Sequence, residues 1–133
     1  DNVSIDGTTI GHTGDTDLIT LASNSITMAG EVVMNGKAAI STLVTDNDGS
    51  FDMDAGNDFK CTPSGNFALT FTNIQCQSGN VLLVNSGGHT VTAHANTKFD
   101  SSIAATISTA GTYLLGYFSD GTNVYITNSA AYS

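Results

Sequence analysis

All six phenylalanines and all four tyrosines of this 133-residue chain fall from Phe51 onward, and tryptophan is absent. Aromatic rings bury more area than any other side chains. The C-terminal region can therefore build a compact core, while the N-terminal region has little to cover its own apolar residues. Composition and this asymmetry together predict two regions. Residues 1–58 are expected to form a repetitive β-structured shaft or oligomerisation region, and residues 59–133 a globular β head.

The early region is nevertheless patterned. The near-copies ITLAS and ITMAG sit seven residues apart. Ile19 and Leu21 share one strand face, Ile26 and Met28 the next, and Val32 and Met34 a looser third, with Asn24, Gly30 and Asn35-Gly36 as turns. Upstream, Val3 and Ile5 run into Asp6-Gly7, and Ile10 precedes Gly11. Short strands thus alternate with residues that accept positive φ. Such strands are too short to be stable alone. A seven-residue step is also too short for one chain to wind a full coil, which takes about 20 residues or more. Identical chains intertwined about a shared axis would solve both problems, with Ile19, Leu21, Ile26, Met28, Val32 and Met34 meeting at the centre. An ordinary sheet in a monomeric sandwich is the competing arrangement.

Helix formers are scarce and β-branched residues common, so the fold class is all-β. The head is expected to be a small β-sandwich or jelly-roll. Phe67, Leu69 and Phe71 alternate with Ala68, Thr70 and Thr72, as a half-buried strand does. Ser78-Gly79-Asn80 reads as a turn, and Val81 to Val84 as a strand buried on both faces. Val91, Ala93 and Ala95 share a face in a strand over His89–Ala95, and the stretch holding Ile103 and Ile107 is ambiguous. Thr112–Phe118 and Asn123–Asn128 form a hairpin about Asp120-Gly121. That turn sets Tyr117 opposite Val124, Leu115 opposite Ile126 and Gly116 opposite Tyr125. The core face then holds Tyr113, Leu115 and Tyr117, and the other face Phe118, Asn123 and Tyr125.

Several function classes are excluded by charge and composition. The net charge is −9, arginine is absent, and Lys37, Lys60 and Lys98 are isolated. Binding to nucleic acid or to an anionic membrane surface needs clustered cations, so neither is expected. No apolar run approaches the ~18 residues of a spanning helix. The chain begins at Asp1 without an initiator Met, as a fragment or processed product would.

Candidate chemistry is sparse. DNDGSFDMDAGND holds Asp46, Asp48, Asp52, Asp54 and Asp58, a carboxylate density that suits Ca²⁺, with Asp46, Asp48 and Asp52 as the candidate ligands, although the EF-hand spacing fails; the alternative is a solvated turn. Cys61 and Cys76 flank a strand and are either bridged or two free thiols. His89 and His94 should face opposite sides of a strand, and His12 lies far off in sequence, so they do not suggest one metal site. Glycoside cleavage would need two carboxylates, yet Glu31 is the only glutamate and lies among the repeats. No serine-nucleophile elbow, phosphate loop or zinc signature occurs. Binding without catalysis fits better. Phe118 and Tyr125 offer aromatic faces to a sugar, and Asp120 and Asn123 offer hydrogen bonds to its hydroxyls; packing and turn formation are the plainer roles for each.

VSIDGTTIG, DTDLITLAS and SDGTNVYI resemble the C-terminal parts of bacteriophage tail fibres and related virion fibre proteins. The resemblance implies a repetitive trimeric shaft ending in a receptor-binding head, a place in the virion beside other virion proteins, assembly in the host cytoplasm, and attachment to a host-surface glycan or protein. A capsid decoration or head fibre without a specific receptor is the alternative, and a polysaccharide-degrading spike a further one.

Overall fold

The computed structural model describes residues 9–12, 15–23, 25–32 and 43–132. The chain forms two compact units, Asp1–Ala39 and Ile40–Ser133. The compositional break at 58/59 is therefore not the structural one. Residues 43–58 belong to the C-terminal unit, because Phe51 and Met53 are buried in its core.

The N-terminal unit is a three-stranded antiparallel meander of β1 (Thr9–His12), β2 (Asp15–Ala22) and β3 (Ser25–Met28). Ile19 pairs with Met28 and Leu21 with Ile26, so the two near-copies form one hairpin with their apolar positions on one face. Strands expected to pair between chains thus pair within one. Val32 lies outside any strand, and Met34, Val3 and Ile5 lie outside the described residues.

The C-terminal unit is all-β with one short helix. Its chain alternates between two sheets. β4 (Val44–Thr45), β6 (Asp58–Cys61) and β8 (Ser78–Asn85) stack in parallel in one sheet; β5 (Ser50–Asp52), β7 (Phe67–Thr72) and β9 (Val91–Ala93) stack in parallel in the other. The first sheet continues antiparallel from β8 into β11 (Gly111–Ser119) and β12 (Val124–Asn128), with β10 (Thr97–Lys98) on its edge, in the order β10-β12-β11-β8-β6-β4. The sheets face each other as in a sandwich. Their strands, however, are wound as successive coils, a solenoid-like path rather than the antiparallel one of a jelly-roll.

Side-chain amides tie coil to coil. Asn47 accepts the Thr62 N–H at 2.8 Å, Asn66 accepts the Thr90 N–H at 2.8 Å, and Gln77 donates to the Gly56 carbonyl at 3.1 Å. Between the sheets, Phe51 lies 5.1 Å from Phe59 and 5.5 Å from Phe71, centroid to centroid, and Tyr117 lies 5.1 Å from Phe71. Leu69, Val81, Leu83, Tyr113, Leu115 and Val124 are among the other residues of this interior.

Three local expectations are corrected. Ser78-Gly79-Asn80 is strand, not turn. A Cβ on Gly79 would lie 1.8 Å from the Asn57 carbonyl oxygen, so glycine is required there for close backbone approach rather than for turning. Val81–Val84 alternates, with Val81 and Leu83 buried and Leu82 and Val84 half-buried, so only one face is fully packed. The ambiguous stretch is α1 (Ser101–Ile107): Asp100 accepts the N–H groups of Ser102 and Ile103, and Ile103 and Ile107, one turn apart, face the core.

Both cysteines are free, Cys61 buried and Cys76 exposed. Burial, followed by the charges of Asp46 and Asp48, pushes the Cys61 thiol up to about 11. A thiol reagent at pH 8 should therefore label one cysteine per native chain, at Cys76, and two after denaturation. Labelling of both in the native chain, or of neither, would contradict the assigned burial.

Candidate functional site

The hairpin of β11 and β12 carries the predicted faces but not the predicted register. Tyr117 pairs with Ile126, Phe118 with Tyr125, and Gly116 with Thr127. The loop is four residues, Asp120–Asn123, where a two-residue turn was expected. Asp120 explains the difference. Its Oδ1 accepts the N–H groups of Thr122 and Asn123, both at 2.8 Å, and its own N–H reaches the Asn123 carbonyl at 3.2 Å. This closes the wider loop as an Asx turn, with Gly121 at φ +87°. A shift of two residues leaves every side chain on its own face. Tyr113, Leu115, Tyr117, Val124 and Ile126 are buried, while Phe118 and Tyr125 remain 54% and 46% exposed.

That shift opens a site. Tyr125 no longer covers Gly116 but stands beside Phe118. Gly116 falls in a cross-strand row between Thr127 and Asn80, with Asp58 next to Asn80. The missing side chain leaves a depression on the outer face of the six-stranded sheet, part of a groove of about 710 Å³. Phe118 and Tyr125 line one part of it; Asp58, Asn80 and Asn57 contribute polar groups. A Cβ on Gly116 would meet the Thr127 Cγ2 at 3.2 Å and begin to fill the space.

The polar residues are held by the coil structure. Asn80 Nδ2 donates to Asp58 Oδ1 at 3.1 Å, and Asn57 Nδ2 to the Ser78 carbonyl at 3.1 Å. Tyr117 donates its hydroxyl proton to the Asn57 carbonyl at 2.9 Å and accepts from Gln77 at 3.1 Å, fixing the loop before β6 against β11. Burial raises the Tyr117 pKa, so the phenol stays protonated and keeps donating. At the other side, the Tyr125 hydroxyl donates to Asp120 Oδ2 at 3.2 Å. The N–H groups of Asn123 and Thr122 hold the Asp120 carboxyl below the usual carboxylate range, and the bond to Asp120 raises the Tyr125 phenol.

Of the four residues assigned to ligand binding, Phe118 and Tyr125 line the groove. Asp120 anchors Tyr125 from the loop. Asn123 serves the loop itself and is not in the lining. The sequence places Asp58 in the acidic run, Asn80 in a turn and Gly116 under Tyr125 but does not bring the three together, because they meet only through the parallel pairing of β6 with β8 and the antiparallel pairing of β8 with β11.

The carboxylates of the acidic turn accept nearby N–H groups. Asp46 accepts the Asp48 N–H at 3.1 Å, and Asp48 accepts the Ser50 N–H at 2.8 Å. Asp52 accepts the Asp54 N–H at 3.0 Å and the Asn73 amide at 2.9 Å. These carboxylates build successive turns, and Gln75 donates likewise to Asp54. Among the described residues, no three His, Cys, Asp or Glu side chains converge to hold a metal. His89 is half-buried in the turn before β9 and His94 exposed after it.

In the N-terminal unit, Leu21, Ile26 and Met28 are 39%, 62% and 47% exposed, Val32 is 52% exposed and Ile19 is half-buried. Ile19, Leu21, Ile26 and Met28 share one face of the β2–β3 hairpin; Val32 follows β3. Comparison of the chain with known protein families, curated proteins and solved structures found no match.

Proposed function

We propose that this chain is a non-enzymatic structural protein of a virion fibre, a homotrimer whose head attaches to a glycan or protein of the host surface. The observation that carries the reading is the apolar face of the N-terminal meander. Leu21, Ile26 and Met28 form a contiguous group of exposed large side chains on one face. Contiguous exposed apolar groups mark surfaces that meet a partner. Sister chains supply the same apolar residues at the same height, which is the simplest cover. The face accounts for self-association; the number three and the virion address come from the resemblance to tail fibres.

The head contributes the second half. Its groove has aromatic walls, polar groups held by the backbone, and a single carboxylate, Asp58, among the described lining residues. This suits recognition rather than two-carboxylate hydrolysis. Three heads on one rigid body would turn weak single contacts into firm attachment. Immunogold labelling of intact particles with an antibody to the chain tests this. Gold at fibre tips is the expected result. Gold spread over the capsid surface would replace the reading with a decoration protein, and its absence from particles would overturn it.

A further inference from the structure

We infer that the groove on the outer face of the six-stranded sheet takes an uncharged pyranose glycan, stacked on Phe118 and Tyr125 and hydrogen-bonded at the Asp58–Asn80 side. The inference deepens the attachment reading and rests on it.

Four features converge on this ligand class. First, Phe118 and Tyr125 are direct cross-strand partners, yet each keeps about half its surface exposed. Their pairing therefore does not use up their faces. A pyranose presents a flat patch of C–H groups to such a platform, while an extended peptide would seek a sheet edge instead. Second, Gly116 lowers the floor beside the rings, so a ring stacked there can bring its rim hydroxyls down to the sheet. Third, the opposite side is rich in acceptors: the Asp58 carboxylate and the side-chain carbonyls of Asn57 and Asn80. Sugar hydroxyls donate to such groups, and coil-to-coil hydrogen bonds already fix Asn57 and Asn80, so little order is lost on binding.

Fourth, charge selects against anions. Among the described lining residues there is no Lys, Arg or His, and the chain carries net charge −9. Lys98 neighbours Tyr125 in register, donates to the Ala95 carbonyl at 2.5 Å, and is not among the described lining residues. Lys60 lies one row from Asn80, beside Leu82, outside the lining. A uronate or sialate carboxylate would bring a further negative charge to the Asp58 side of the groove, in a chain of net charge −9. The aqueous groove and its ring pair lack the enclosing cage that holds a quaternary ammonium, so the acceptor row favours hydroxyls over a cation.

The test uses the whole chain on immobilised oligosaccharides in three sets: neutral hexose oligomers, sialylated or uronate-containing oligomers, and chitosan oligomers. Wild type, Phe118→Ala and Tyr125→Ala are compared, with thermal melting as the folding control. Both rings are about half exposed, so each variant should melt within a few degrees of wild type. The expected result is binding to members of the neutral set, weakened about tenfold or more in each variant. Preference for the anionic or chitosan set, or neutral binding equal in wild type and both variants, overturns the inference. Adhesion to host cells without binding to any saccharide set also overturns it while leaving the attachment reading in place. Saccharide binding with gold absent from particles would sustain the ligand class and remove the virion role.

Discussion

Replacing Phe51 by alanine is expected to remove a large share of the stability of the C-terminal unit. The ring is fully buried, 5.1 Å from Phe59 and 5.5 Å from Phe71, and joins the short β5 to the opposite sheet. Truncating such a ring removes its transfer free energy and leaves a cavity, at a cost of about 3–5 kcal/mol. A domain of this size has roughly 5–15 kcal/mol in total. The melting temperature should fall by more than about 15 °C. Phe118→Ala removes the same atoms from the outer face of the sheet and should shift melting by no more than a few degrees. Calorimetry of the two variants side by side checks the division between core and groove. Equal losses would contradict the placement of Phe51 in the core and of Phe118 on the outer face of β11.

Met28→Asp is expected to abolish self-association. Met28 pairs with Ile19 on the open face of the meander. If that face is buried between sister chains, each chain contributes one unpaired carboxylate to a dry interior, at several kcal/mol per charge. Association should weaken at least about a hundredfold. Thr27→Asp carries the same charge on the opposite face, where Thr27 pairs with Thr20, and should change association about twofold at most. Sedimentation of both variants over a dilution series reads the difference. Dissociation by both to the same extent would mean that general acidity, not face geometry, governs assembly.

The faces of this fold were legible in the sequence, and its registers were not. Alternation alone placed Tyr113, Leu115 and Tyr117 inside and Phe118 and Tyr125 outside, because a strand's side-chain period is two whatever its partner. Register depends on the loop, and the Asp120 side chain chose a four-residue loop over the Asp-Gly turn. Half of the candidate site followed from this. The aromatic half came from one hairpin and could be read locally; Asp58 and Asn80 come from different coils, and no local pattern joins them. Their signal was the recurrence of Phe51 and Phe59 as Phe71 and Val81, at the long spacing of coils rather than hairpins. The acidic run misled for a related reason: a carboxylate that caps its own turn and one that awaits a cation look alike in sequence. The helix at Ser101–Ile107 was announced by Asp100 and by the spacing of Ile103 and Ile107, but its surroundings are rich in strand formers.

The central claim is that the aromatic-free N-terminal sheet excludes water only in company with its own copies. Sedimentation equilibrium of the chain at micromolar concentration tests it most directly. The account predicts a single species of three times the 13.6 kDa chain mass. A stable species of one chain mass across that range would contradict it.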